Sequence, residues 1–276
     1  MRAGLRPGLR RGLIELRQAV TGADLVGHLL WPVVTLVALV LLQHRDLGSG
    51  LTLGAFAVPG VVGMFVALGM LLDVQYLSAD REDGTVLRAR ATPGGITGYL
   101  VGKVVTVSGT VVLYVAVVVA GGALLVDGVD LRTVDWLTFT WVLVLGLVAT
   151  QALGLVLGAL VRSPRSAGYV ALPVVGLIAI SGVFVPVTAL AAGWQAVAQA
   201  FPVYWLGLGV RAAFLPDAAA VAEVGGSWRP WATAAVLGAW ALVGVVLAPV
   251  VLRRMTRKES GSSVAARRER ALQRVG

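Results

Sequence analysis

Six stretches of this chain stay apolar for about as long as a lipid bilayer is thick, and this limits its possible folds more than any other feature. They lie near 25–42, 53–72, 98–126, 136–161, 168–190 and 231–252. A helix needs roughly 17–25 such residues to cross about 30 Å of hydrocarbon. None of the runs alternates apolar with polar residues as a barrel strand does. Backbone polar groups in lipid find partners only inside a helix or a closed barrel, so helices are expected. The predicted fold class is all-α: a polytopic membrane protein with six transmembrane helices, forming one domain over residues 1–276. Residues 1–24 form a leading segment, 25–252 the six-span core and 253–276 a basic tail.

The placement of Lys and Arg gives the expected orientation. Six spans put both termini on one side, and that side receives 19 of the 23 basic residues. The other side receives four: Arg45, Arg132, Arg211 and Arg229. Such a bias marks the cytosolic face, so both termini are expected in the cytosol of a multi-pass protein of the cell membrane. The net charge of +9 is then a matter of topology, and no nucleic-acid partner is implied. Trp136, Trp141, Trp194, Trp205, Trp228 and Trp231 fall at or beyond the outer span ends, where an interfacial belt is expected. Cysteine is absent, which excludes disulfides, thiolate metal sites and a cysteine nucleophile. His28 and His44 are sixteen apart, not at metal-pair spacing.

The opening residues MRAGLRPGLRRGLIELRQAV lack the apolar centre and cleavage site of a signal peptide. They read as a cytosolic segment in which residues 9–20 form an amphipathic helix on the membrane surface, with Leu9, Leu13 and Leu16 on one side. A disordered basic tail is the alternative.

A compact charged segment, SADREDGTVLRARATPGG, interrupts the apolar pattern between spans two and three. Asp80, Glu82 and Asp83 come first and Arg88 and Arg90 last, the polarity that suits the dipole of a short helix. Pro93 and two glycines end it. No opposite charges stand at i+3 or i+4 within it, so its charges look free for a partner. Arg81, Gly84, Thr85, Arg88 and Thr92 are expected on one face. Contact with anionic membrane lipids is the alternative use of such a segment.

The run Glu82-Asp83-Gly84-Thr85-Val86-Leu87-Arg88-Ala89-Arg90-Ala91-Thr92-Pro93 resembles the cytosolic signature of ABC type-2 transporter permeases. A second stretch, Ser181-Gly182-Val183-Phe184-Val185-Pro186, continues through Trp194, Phe201-Pro202, Tyr204 and Arg211 and is similar to the family's outer signature. Phe201 stands where that family usually has Asn, and Ala191-Ala192-Gly193 replaces its second proline. The resemblance implies a coupling helix built from Arg81, Glu82, Asp83, Gly84, Thr85, Arg88, Arg90 and Pro93, received by the cleft of an ATP-binding-cassette ATPase. It also implies a second permease copy, most simply a homodimer, with ATP and Mg on the partner ATPase and no cofactor on this chain.

The residues support that picture independently. Ser181, Gly182, Phe184, Pro186 and Pro202 interrupt the outer end of span five and the return that follows, making a candidate outer gate. Residues 203–215 are too short to cross and read as a re-entrant or interfacial helix. No phosphate loop is present: Gly102-Lys103 is followed by valine. The chain therefore reads as a permease and not as an enzyme. Asp24 and Asp73 are expected at cytosolic span ends. Gln151 is left as the strongly polar residue mid-span, either bonding across helices or facing a translocation path. Gly98xxxGly102 and Gly154xxxGly158 offer close helix contacts. The expected function is ATP-driven export of a hydrophobic small molecule, drug- or antibiotic-like, or of a lipid. A membrane scaffold for a soluble partner and an ion-coupled carrier are the alternatives.

Overall fold

The computed structural model describes residues 2–45, 53–92, 94–161, 164–183 and 186–257, without the side chains of 2–3 and 164–167. Among these residues all regular structure is helical. The order is α1 (Arg2–Ala19), α2 (Gly22–Leu42), α3 (Leu53–Glu82), α4 (Thr85–Arg90), α5 (Gly95–Leu125) and α6 (Trp136–Leu160). Then come α7 (Pro164–Ile180), α8 (Ala192–Ala200), α9 (Pro202–Phe214) and α10 (Pro230–Arg257). One end of the bundle carries α1, α4 and the last turn of α10 and is rich in arginine. The opposite end carries α8, α9 and most of the tryptophans. The basic tail beyond residue 257 lies outside the described residues.

Among the described residues five helices, α2, α3, α5, α6 and α10, are long and apolar enough to cross a membrane. The expected span at 168–190 is instead α7, a 17-residue helix that stops at Ile180. The Ser181 hydroxyl donates to the Ile178 carbonyl at 2.6 Å, and Gly182 turns to a φ of 80°. That left-handed backbone is open to glycine and strained for other residues, so the helix ends there.

α3 is the axis of the bundle. Its side chains are buried around most of its circumference, against α5, α6, α7 and α9. An all-round apolar helix belongs inside. Gly154 and Gly158 let α6 close on it: a methyl on Gly154 would stand 2.8 Å from the Cα of Met70. α3 has 30 residues, about 45 Å at 1.5 Å per residue, so it outruns the hydrocarbon. Asp73 is therefore not at a helix end; nine residues follow it, and it lies 1% exposed against Gly154.

The N-terminal segment is helical, as one of the two expectations had it, and it also docks on α5. α1 runs parallel to α5, and its packed face is glycine, not leucine. Gly4 meets Gly94 and Gly98, Gly8 meets Gly98, and Gly12 meets Gly102, so the two backbones touch. A methyl on Gly8 would sit 2.5 Å from the Gly98 carbonyl oxygen. Leu9 and Leu13 face outward, while Leu16 packs over Gly109. The small-residue row won because helix backbones gain more dispersion contact at that separation than a leucine seam allows.

α8 and α9 form a hairpin that dips into the bundle. Phe201 at its tip stacks on Trp240 at 5.9 Å, and the Trp240 indole donates to the Ala200 carbonyl. Trp240 is ten residues into α10, so the tip lies about 15 Å below the rim. α9 is the short helix expected near 203–215, opened by Pro202 in its first turn and buried from Pro202 to Arg211. Trp205 and Trp228, expected at the rim, are buried with this hairpin. Trp136, Trp194 and Trp231 are exposed.

Candidate functional site

At the basic end, α3 and α4 meet at a corner. The expected single helix over 80–90 is broken: Asp80, Arg81 and Glu82 are the last turn of α3, and Asp83-Gly84 is the bend. Gly84 has a φ of 78° and Asp83 Oδ1 accepts from the Thr85 amide at 2.8 Å, which starts α4. The break arises because glycine reaches the left-handed backbone that ends α3, while the Asp83 side chain supplies an acceptor for an amide otherwise left bare.

The charges of this corner are not free, as the sequence suggested. Arg81 is buried and donates to the Val161 carbonyl at the end of α6. Arg90 donates to the Thr256 carbonyl of α10 at 2.6 Å. Arg88 donates to Thr85 Oγ1 at 2.8 Å and to the Asp83 carbonyl at 3.1 Å. Gly84 and Thr85 are buried, so the expected shared face does not form; Asp83, Arg88 and Arg90 are the exposed charged groups, with Glu82 half-buried. Pro93 lies outside the described residues.

Behind the corner is a polar net that joins α1, α3 and α5. Lys103 Nζ lies 2.9 Å from Asp80 and 3.0 Å from Glu15, and 5.1 Å over the ring of Tyr76. Tyr99 donates to Asp80 at 2.8 Å, and Arg11 pairs with Glu15 at 2.7 Å. Burial pulls the Glu15 carboxyl up, but the hydrogen bonds from Arg11 and Lys103 outweigh it and hold the group below its ordinary value. The lysine that fails as a phosphate-loop residue is thus the centre of a brace. Its partners stand far off in sequence, and no local spacing announces them.

The aromatic end is built around one arginine. Arg211 is fully buried; its Nε donates to Glu223 at 2.6 Å, its Nη1 donates to the Gly182 carbonyl at 2.9 Å, and its guanidinium covers Phe56 at 5.5 Å. Glu223 is equally buried, just after the 3-10 turn Asp217–Ala222. So the break after α7, the dipping helix α9 and the following loop are tied at one point. Ser181 and Gly182 lie at this tie, Pro186 opens the 3-10 turn Val187–Ala189 packed on Gly182, and Pro202 starts α9. Phe184 lies outside the described residues. Arg229 forms a second station, stacked over Trp205 at 4.8 Å and bonded to Gln199 and Tyr204. Arg211 was conspicuous as a charge inside an apolar run; its partner Glu223 carried no such signal.

Gln151 is buried and donates to Ser108 at 2.8 Å, joining α6 to α5. Its amide oxygen has no partner among the described residues, and neither do the two carboxylate oxygens of Asp73. His28 bonds the Tyr114 hydroxyl at 2.5 Å.

A family model described as ABC-2 family transporter protein matches residues 47–249, which covers the helices from α3 to most of α10. No curated protein matches the chain.

Proposed function

From the premise that this chain belongs to the ABC-2 family of transporter proteins, and is thus the membrane subunit of an ABC transporter, we propose that it is the permease of an ATP-driven exporter. A separate ATP-binding-cassette subunit hydrolyses ATP with its Mg, and two permease copies flank the path. Both termini are then cytosolic and the basic end faces the ATPase. The observation that supports this reading best is the α3–α4 corner. It offers Asp83 and Arg88 to a partner, and it is tied through Arg81, Arg90 and Lys103 to α6, α10 and α5. Closure of the ATPases pushes on α4, and the ties pass that motion to three long helices, shifting the bundle between two packings. In this reading the knot at Gly182, Arg211 and Glu223 holds the outer gate shut. The cargo is a hydrophobic small molecule or a lipid taken from the bilayer.

Co-purification with the ATPase is the direct test. The ATPase is expected to stay with the wild-type chain in mild detergent and to leave a Glu82→Arg, Arg88→Glu chain whose helix content is unchanged. Full retention by that variant would remove the corner from the coupling role.

A second reading, an ion-coupled carrier, draws on Asp73, a buried carboxyl without a partner among the described residues. Transport by liposomes that hold the chain and no ATPase would favour it.

A further inference from the structure

The first two helices follow α5 in parallel, but not in step. Leu16 packs on Gly109, His28 meets Tyr114, and Leu36 packs on Gly121. Twelve residues of the α1–α2 elbow thus answer to five of α5. From Leu36 back to His28 the count is eight against seven, close to the match expected of parallel helices. The surplus makes the elbow bow away at Thr21-Gly22, where Gly22 takes a φ of 66°. Beneath the bow lies a hollow of about 1030 Å3, at the large end of the range typical for ligand sites.

Its lining is divided. One part is polar: Glu15, Gln18, Asp24, Gln75 and Tyr76, with the His28–Tyr114 pair in the wall. The other is apolar, with Phe65, Leu68, Leu71 and Leu72, and with exposed Trp31 and Val175 at the mouth between α2 and α7. In a chain of net charge +9 no lysine or arginine among the described residues is part of its lining, whereas two carboxylates, Glu15 and Asp24, are; Lys103 reaches Glu15 and the Tyr76 ring from behind the wall. Glu15 is already matched by Arg11 and Lys103, but Asp24 has no ion pair or hydrogen bond among the described residues.

We infer that this hollow is a binding site for a lipophilic cation, entering sideways between α2 and α7. Its aromatic and leucine walls take the apolar body, and Asp24, with the ring face of Trp31, takes the positive charge. An anion of the same shape meets an uncompensated carboxylate and is rejected. The inference rests on the transporter reading for its purpose, and the hollow then defines the class of cargo. Its binding test needs no ATPase.

The probe is tetraphenylphosphonium, with tetraphenylborate as its anionic twin, titrated by equilibrium dialysis against the full-length chain in detergent micelles, with empty micelles subtracted. Saturable binding of the cation, and none of the borate, is expected. Asp24→Asn should weaken it roughly fivefold, the scale of one partly exposed ion pair. Gly27→Trp should abolish it, since a side chain at Gly27 extends into open space within the hollow and meets nothing within 4 Å. Both variants should elute and unfold like the wild type. Equal binding of the borate would overturn the charge assignment. Undiminished binding by Gly27→Trp, or binding that vanishes with a change of oligomeric state, would overturn the site. If the cation fails to bind while the ATPase still co-purifies, the hollow falls and the exporter reading survives. If the cation binds and no ATPase associates, the hollow stands and the exporter reading falls.

Discussion

The two ends of the bundle hold their charges in opposite ways. At the aromatic end one ion pair, Arg211–Glu223, is fully buried, with the Gly182 carbonyl as its further hydrogen-bond partner among the described residues. At the basic end Lys103, Glu15, Asp80, Arg11 and Tyr99 share one another, and the Glu15 side chain stays 23% exposed. A dry pair is all or nothing, because removing one member strands the other away from water. A shared, partly wet net loses one link and redistributes the rest. The first suits a latch and the second a joint that has to move.

The comparison breaks most visibly at Arg211. Arg211→Met leaves Glu223 buried and alone, and about 3–5 kcal/mol of stability is expected to be lost. Chemical unfolding in micelles would read it, and adding Glu223→Leu should restore most of the loss. A single-variant loss no larger than that of Lys103→Met would end the contrast between the two ends.

A smaller effect sharpens the other side. Gly8→Leu forces α1 off α5, and overpacking of this kind typically costs about 1–3 kcal/mol. Because the chain has no cysteine, a pair introduced by Leu16→Cys and Gly109→Cys reports the docking without background. Its crosslink should form readily in the wild-type background and fall several-fold with Gly8→Leu, while unfolding of the Arg211 region stays unchanged.

The smallest effect is the pH response of the joint. Glu15 titrates lower in the folded chain than its ordinary value of 4.5. Its contribution is therefore complete above that value and fades as pH falls through the lowered one. Stability to chemical unfolding should be steady from neutral pH to about 5 and weaken below. Glu15→Gln should flatten that dependence; an unchanged profile in that variant would assign the titration to another group.

Much of this was legible in the residues. The apolar runs mark the long helices because lipid leaves the backbone no alternative, and Gly154xxxGly158 marks where α6 meets α3. Ser181-Gly182 marks the end of α7. The departures from expectation share a cause: contacts between residues far apart in sequence. Leu9 and Leu13 suggested the side of α1 that lies on the membrane, and nothing nearby showed that Gly4, Gly8 and Gly12 pack on α5; only the matching glycines of α5 mark that seat. Asp80 seemed to open a short helix because nothing nearby shows that α3 continues to Glu82. Lys103 has partners 88 and 23 residues away, and no spacing rule reaches that far.

The glycine ladder also has a consequence in time. Residues 4–12 find their seat on residues 94–102, so α1 is made well before the helix that receives it. At roughly 5–20 residues per second, α1 waits on the order of ten seconds for its partner. Throughout that interval its glycine edge stands bare beside α2 and α3. Whatever shelters nascent membrane chains has to shelter that edge first, and a chain whose synthesis pauses before residue 94 exposes it for longest.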